Sequence, residues 1–192
     1  MARTSRRRLG AVLALGTTAA VILAGAASAG QVFRVTVHEE DEVVLEDFCE
    51  VPGLTVNLAF VLDVTVQTVP HGQDGLVYFL QQLKETDVYT NPANGKSVTE
   101  VSTVTGKDLR VTDNGDGTLT ILVLATGNAV LYGADGKAIA RNPGQVRFEI
   151  LVDDGGTPTD PSDDEFLEFL GVVKGSTGRS DDFCEAAVPA LS

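Results

Sequence analysis

The residues of this chain that could do chemistry are two histidines, two cysteines and many carboxylates. His71 and Asp74 lie three residues apart in a glycine-rich stretch, where the carboxylate could orient the imidazole as the general base of a hydrolase or isomerase. A histidine in an exposed turn is the simpler interpretation of the same residues. Since His38 is the only other histidine, a three-histidine zinc site is excluded. No motif specifies a catalytic residue, and these two side chains are only the best available pair.

The two cysteines predict a structural disulfide. Cys49 and Cys184 lie near opposite ends of the chain, each within an Asp-Phe-Cys-Glu tetrapeptide. A pair without Cys-x-x-Cys spacing is typical of a structural bridge in an oxidising compartment. No Lys, Arg or His adjoins either thiol, which disfavours a redox or metal-binding role. Closing a loop of about 135 residues would stabilise the fold by roughly 5 kcal/mol in the loop-entropy model.

Two acidic segments could attract cations. The run at residues 39–42 is predicted as a solvated connection, or at most as a patch for a cationic partner. The loop at residues 153–165 has clustered oxygen ligands of the kind that Ca²⁺ prefers, but it lacks EF-hand spacing. We therefore favour a solvated acidic loop over a calcium site and predict no cofactor. The weak calcium candidates are Asp153, Asp154, Asp160, Asp163 and Asp164.

The first twenty-nine residues have the pattern of a secretory signal peptide. Four arginines precede an apolar run at residues 9–26, and Ala27-Ser28-Ala29 supplies the small-residue cleavage pattern. The alternative is an uncleaved membrane anchor, which the glycines and threonines of the run disfavour. Arg6-Arg7 resembles a twin-arginine signal, but the general secretory route fits the following residues better. We predict a signal peptide at residues 1–29 and a single extracellular domain at residues 30–192.

The charge of the mature chain limits its partners. The leader removes four of the 14 basic side chains, so 10 basic groups face 27 acidic ones and the formal charge changes from −13 to −17. Such a charge repels nucleic acid and anionic membranes, and it favours solubility and cationic partners. We therefore predict no nucleic-acid partner and no membrane association after the leader is cleaved.

The mature chain has the period of two that is typical of β-strands. Within residues 54–68 the even positions from Leu54 to Val66 are all apolar, which predicts one long strand with a buried face and no bulge. Shorter alternation recurs at residues 33–37, 119–123 and 146–152, and the segment at 76–83 fits either a strand or a helix. Turn residues separate these segments. Many strands with such turns predict an antiparallel β-barrel or β-sandwich, with the barrel preferred. The turn signals lie at residues 91–95, 113–117 and 135–136.

Only the end of the chain has a helical pattern. Asp182 followed by Glu185 resembles a capping box, and the next two alanines favour helix. Pro189 is predicted to end the helix after one or two turns. With Cys184 inside it, the helix would be tied to the sheet by the disulfide.

The leader, the paired cysteines and two turn-rich stretches resemble uncharacterised secreted all-β proteins of actinobacteria. The stretches are residues 89–98 and 111–121. The resemblance extends over most of the mature chain and implies an all-β fold and an extracellular location. Its motifs are turn residues, so it carries over no catalytic residue.

These features together favour a binding protein over an enzyme. The main expectation is a secreted, non-catalytic protein that binds or contacts an extracellular partner. The first alternative is a carrier that holds an apolar small molecule inside a barrel. The second is an unfamiliar hydrolase or isomerase that uses His71 and Asp74.

Overall fold

The structure is a computed structural model that describes residues 33–71, 74–176 and 178–192. The predicted signal peptide lies outside these residues. The described chain contains seven long β-strands followed by one short α-helix. The strands are β1 (Phe33–Leu45), β2 (Val56–His71), β3 (Leu76–Thr90), β4 (Ser97–Asp113), β5 (Thr118–Tyr132), β6 (Ala138–Asp153) and β7 (Glu165–Lys174), and the helix is α1 (Phe183–Leu191).

The strands form a single antiparallel sheet in which each strand pairs with the next along the chain, in the order β1 to β7. The predicted all-β, antiparallel class with a C-terminal helix and one disulfide is therefore confirmed. In the described residues the edge strands β1 and β7 are not paired with each other, so the predicted barrel is not closed.

The period of two along β2 is confirmed and defines one face of the sheet. The pairings of β2 with β1 and with β3 run without a register shift, so no bulge interrupts the alternation. We call the face that carries the even-numbered residues of β2, from Val56 to Thr68, and their cross-strand partners the inner face. Residues directly opposite one another in a sheet lie on the same face, so this definition extends across β1 to β6.

The inner face is concave at the end where the helix packs. One apolar cluster combines a buried residue from each of β2 to β6 with two buried residues of α1. Five strands laid flat would span roughly 20 Å, whereas a helix with its side chains is about 10–12 Å wide. The sheet must therefore curl around the helix. The buried residues of this cluster are Phe48, Val56, Tyr89, Val98, Leu131, Ala140, Ala187 and Leu191.

A second apolar cluster lies towards the other end of the sheet. Its buried members come from β4, β5 and β6. Leu131 of the first cluster and Ile121 of the second are about ten residues apart on β5, which corresponds to about 33 Å along the strand. The candidate functional site lies on the inner face between the two clusters. The buried residues of the second cluster are Val111, Leu119, Ile121 and Val152.

The C-terminal helix begins as predicted but ends later. The Asp182 side chain accepts a hydrogen bond from the Glu185 N–H at 3.0 Å, which caps the first turn. Pro189 lies inside the helix and does not end it, so that prediction is wrong. Because proline has no N–H, Pro189 cannot donate to the Glu185 carbonyl, but this loss affects the turn before it and leaves Ala190 and Leu191 free to continue the helix.

The disulfide joins the start of this helix to the turn that follows β1. Cys49 and Cys184 are bonded, with their Cα atoms 5.6 Å apart, as predicted. Cys49 lies between Asp47 and Glu50, and all three residues have positive φ angles (55°, 49° and 60°). This conformation is uncommon for residues other than glycine. The turn is therefore held by its surroundings, which include the bridge and the buried ring of Phe48.

One segment differs from its predicted state, and for another the structure decides between two predicted alternatives. The acidic run at residues 39–42 is not a connection, because it lies in the middle of β1 and pairs with β2. The four charged residues interrupt the alternation of the valines on either side, so the local pattern does not predict a strand there. The ambiguous segment at 76–83 is the first half of β3. The three predicted turns and the loop between β6 and β7 are present where expected.

Removal of the disulfide is expected to destabilise the protein strongly. For Cys49→Ser/Cys184→Ser we expect a loss of about 2–5 kcal/mol in the free energy of unfolding, because the unfolded chain gains freedom over a closed loop of 135 residues. The control Asp182→Ala removes only the helix cap and should cost about 1 kcal/mol. Urea denaturation followed by circular dichroism measures both. A double variant that unfolds at the wild-type urea concentration would contradict the predicted role of the bridge.

Candidate functional site

Five carboxylates of the inner face share two neighbouring rows, and we call them the acidic band. Two adjacent cross-strand rows supply them. In one row Asp87 of β3 lies opposite Glu100 of β4, and in the other Glu85 lies opposite Ser102. The same two rows continue through apolar residues of β2 to two acids of β1. The acidic band consists of Glu39, Asp41, Glu85, Asp87 and Glu100.

The β3 members of the acidic band are nearly removed from solvent. Glu85 is 7% exposed and Asp87 is 4% exposed. Phe60 and Leu62 of β2 lie directly opposite them and present only hydrocarbon. Burial of this kind normally requires hydrogen bonds or an ion pair, because a desolvated carboxylate is costly.

Very little compensates these carboxylates within the described residues. The Tyr89 hydroxyl donates to Asp87 Oδ2 at 3.5 Å, which is a long hydrogen bond. Neither Glu85 nor Glu100 has a hydrogen-bond partner among the described residues. The direct opposition of Asp87 and Glu100 is itself unfavourable, because like charges on facing strands repel.

No cation balances the acidic band on its own face. Across β1 to β6, the inner-face positions that the structure describes carry no Lys, Arg or His. The ion pairs found in the described chain lie elsewhere and are at least partly exposed. They are His38–Asp63, Arg110–Glu149, Lys137–Asp135 and Arg179–Asp181.

Desolvation and mutual repulsion raise the proton affinity of the buried acids. Burial, with the charges of Asp87 and Glu100, raises the pKa of Glu85 to about 7. Burial, with the charge of Asp87, raises the pKa of Glu100 to about 7. Burial also raises the pKa of Asp87 to about 6, although the Tyr89 hydroxyl opposes this shift. All three groups therefore change charge near neutral pH.

This arrangement has two chemical uses. A positively charged ligand placed against the band would relieve both the desolvation and the repulsion, so the site is suited to binding a cation. Carboxylates that titrate near pH 7 are also suited to general acid–base catalysis, because they exchange protons readily at the working pH. The second use would also require a substrate with a labile proton beside them.

The residues predicted from sequence as a catalytic pair do not form a site. His71 is exposed at the end of β2, and its ring packs on Tyr78 with centroids 4.9 Å apart. No hydrogen bond joins its ring to Asp74 among the described residues. His38 Nδ1 lies 2.8 Å from Asp63 Oδ1, and that carboxylate raises the pKa of the imidazole. Both partners of this pair are exposed on the opposite face of the sheet, away from the acidic band.

The aspartates of the loop between β6 and β7 are close together but do not converge as ligands. Both oxygens of Asp163 accept from the Thr157 hydroxyl at 3.0 Å. Asp154 is 3% exposed, and its Oδ1 accepts from the Gly156 N–H at 2.8 Å. Burial and the neighbouring aspartates raise the pKa of Asp164 to about 7. Among the described residues, no three carboxylate, imidazole or thiolate groups are arranged to hold a metal ion.

Sequence reasoning missed the buried members of the acidic band. One signal was present: Leu83, Glu85, Asp87 and Tyr89 occupy alternate positions, so two acids interrupt an apolar face. The opposition of Asp87 to Glu100 depends on the pairing of β3 with β4, and no local pattern specifies that register. Glu85 and Asp87 also lie just after the segment at residues 76–83, whose pattern fits either a strand or a helix.

Comparison with known proteins adds no relative from which a function could be transferred. No protein-family model, no curated protein and no solved structure matches this chain. Within the described residues, α1 is far too short to cross a membrane, and no other α-helix occurs. The function must therefore be argued from the site itself.

The acidic band is expected to make the protein less stable as the pH rises. Because folding raises the pKa values of these acids, the folded state retains protons that the unfolded state has released, and stability falls between about pH 4 and pH 7. Each unit of pKa shift corresponds to about 1.4 kcal/mol. The amides of Glu85→Gln/Asp87→Asn/Glu100→Gln are neutral but remain buried polar groups, so only a small part of this cost is recovered. For the triple variant we expect a gain of about 2 kcal/mol, which corresponds to a Tm roughly 5 °C above wild type at pH 8.

The difference in Tm between this triple variant and the wild type should shrink towards zero at pH 4, where the wild-type acids are protonated. The control Asp63→Asn removes one exposed carboxylate from the opposite face and should show no comparable gain. Differential scanning calorimetry from pH 4 to pH 8 provides the measurement. A triple variant that melts below the wild type at pH 8 would show that the acids stabilise the fold.

Proposed function

We propose that this protein is a secreted binding protein that carries a small organic cation against its inner face. The observation that carries this proposal is Glu85, a residue that is 7% exposed and whose carboxylate has no hydrogen-bond partner in the described residues. Together with the buried Asp87 and the half-buried Glu100, it forms a negative centre that the described inner face leaves without a balancing charge. A bound cation would supply that charge.

The shape and composition of the inner face support a bound organic molecule. Between the two apolar clusters, β5 presents only a valine and small residues to the inner face: Val123, Ala125, Gly127 and Ala129. Small side chains beside the acidic band cannot fill a core, and concave sites lined by apolar groups with a few convergent polar groups are typical of ligand binding. The described residues hold no group of three ligands arranged for a metal ion. An organic cation, which does not need three such ligands, fits the described inner face better.

Secretion is part of the same proposal. The predicted signal peptide at residues 1–29 would direct the chain out of the cytoplasm. The Cys49–Cys184 disulfide is compatible with an oxidising, extracellular location. A soluble extracellular carrier for a cation would also benefit from the strongly acidic mature chain, which attracts positive ligands.

Contact with a macromolecule is the other binding function, and β7 is the feature that could favour it. This edge strand exposes apolar side chains on both faces, with Phe166 60% and Val173 58% exposed. However, three register shifts interrupt its pairing with β6. Such bulges twist an edge strand away and blunt it against addition of a further strand. The small-molecule function therefore ranks first.

Binding of butyltrimethylammonium tests the proposal directly. Its charge is permanent, so any pH dependence belongs to the protein. We expect measurable binding at pH 8 and at least tenfold weaker binding at pH 5, where Glu85 and Glu100 are protonated. Isothermal titration calorimetry at both pH values measures the dissociation constant.

Two variants distinguish binding at the acidic band from attraction by the overall negative charge of the protein. Glu85→Gln should weaken binding at pH 8 by tenfold or more, because it removes one buried charge that contacts the ligand. Asp63→Asn makes the same charge change on the opposite face and should leave binding unaltered. Equal binding of butyl sulfate, which carries a negative charge, or an unaltered affinity in Glu85→Gln would refute the proposal.

A further inference from the structure

Gly106 leaves a gap on the inner face that nothing in the fold of β4 requires. Its φ angle lies outside the left-handed region, so other residues could adopt its backbone conformation. A Cβ atom built at this position would meet no atom within 4 Å. A glycine within a strand costs stability and often marks a place where another molecule approaches closely. The packing of the protein therefore does not explain why residue 106 is a glycine.

Asp108, whose carboxylate accepts from the Phe79 N–H at 2.7 Å, is the next inner-face residue of β4. The other neighbours of Gly106 are Gln81 on β3 and apolar residues on β5 and β6. Its cross-strand partner on β5 is Ala125, which in turn lies opposite Val146 of β6. On the other side it pairs with Gln81, whose row continues to Val66 of β2. We call the space above Gly106 and Ala125 the glycine gap.

An aliphatic row separates the glycine gap from the acidic band. The row lies one inner-face position from each of them along β4 and consists of Val37, Val64, Leu83 and Val104 on β1 to β4. On β5 it continues into Gly127, and on β6 it continues into Gly144, over which the Ser176 side chain lies. A ligand that reached from the band to the gap would therefore cross this hydrocarbon row.

The geometry points to a ligand that is a long-chain amphiphilic cation, with its charged head at the acidic band and its chain in the glycine gap. This inference rests on the function proposed above and adds the chemical class of the ligand. Ser102, which lies opposite Glu85, is four residues from Gly106, or about 13 Å along the strand. Because a C–C bond of about 1.5 Å projects roughly 1.3 Å along an extended chain, about ten carbons would reach the gap.

The glycine gap would then set the chain length that the protein prefers. Each methylene buried from water strengthens binding roughly fourfold, so affinity should rise with chain length until the gap is filled. Replacing Gly106 by leucine would fill the gap and stop this rise. Shorter cations that do not reach the gap would bind as before.

A series of alkyltrimethylammonium ions with butyl, hexyl, octyl and decyl chains, kept below their micelle concentrations, tests the inference by calorimetry at pH 8. For the wild type we expect at least tenfold tighter binding for each two carbons added. For Gly106→Leu we expect wild-type affinity for the butyl ion and a loss of at least tenfold for the decyl ion. For Gly106→Ala we expect an affinity for the decyl ion between those of the wild type and Gly106→Leu. The control Thr103→Leu adds the same side chain to the opposite, exposed side of β4 and should leave the whole series unchanged.

The outcomes separate the two proposals. If the butyl ion does not bind the folded wild type, the cation-binding function itself is refuted. If it binds, but affinity does not depend on chain length, only the amphiphile inference is refuted. The same holds if Gly106→Leu weakens the butyl and decyl ions equally, because the glycine would then act on the fold and not on the chain. Gly106→Ala, which adds one methyl group into open space, keeps the test valid if the leucine variant does not fold.

Discussion

The packing of α1 against one end of the inner face is the contact on which the rest of the structure depends. A nine-residue helix is too short to be stable alone in water, so α1 requires the burial of Ala187 and Leu191 and its bond to Cys49. The sheet requires the helix equally, because Val56 and Val98 would otherwise face solvent. The disulfide joins the two elements and constrains a turn with three left-handed residues. The curvature of the sheet, and therefore the shape of the inner face, follows from this contact.

Once the sheet is curled, its inner face cannot be a uniform core. Apolar clusters occupy the two ends, and the acidic band and the glycine gap lie between them. Buried acids without partners are unfavourable for folding, and an unfilled glycine position adds to that cost. A sequence under selection for stability alone would place valine or leucine at these positions. Local departures from the rules of good packing are typical of functional sites, where stability is lost in favour of binding.

The charge of the whole molecule acts in the same direction as the acidic band. With a predicted mature charge of −17, the surface attracts cations over distances set by the ionic strength, and the buried carboxylates hold them at short range. The two effects differ in their response to salt. Long-range attraction is screened by physiological salt, whereas a desolvated contact with Glu85 is screened much less. Affinity for a bound cation would therefore depend mainly on the inner face.

The sequence by itself determined the local features. The alternation in β2, the turn residues, the N-cap at Asp182 and the pairing of the only two cysteines follow from the chemistry of neighbouring residues or from a count. Tertiary structure alone decided the strand state of the acidic run in β1, the continuation of α1 through Pro189 and the open edges of the sheet. It also decided the site, because the opposition of Asp87 to Glu100 and the gap above Gly106 arise from the register and curvature of strands distant in sequence. Register and curvature depend on contacts among all seven strands and the helix, and no local stretch of residues specifies them.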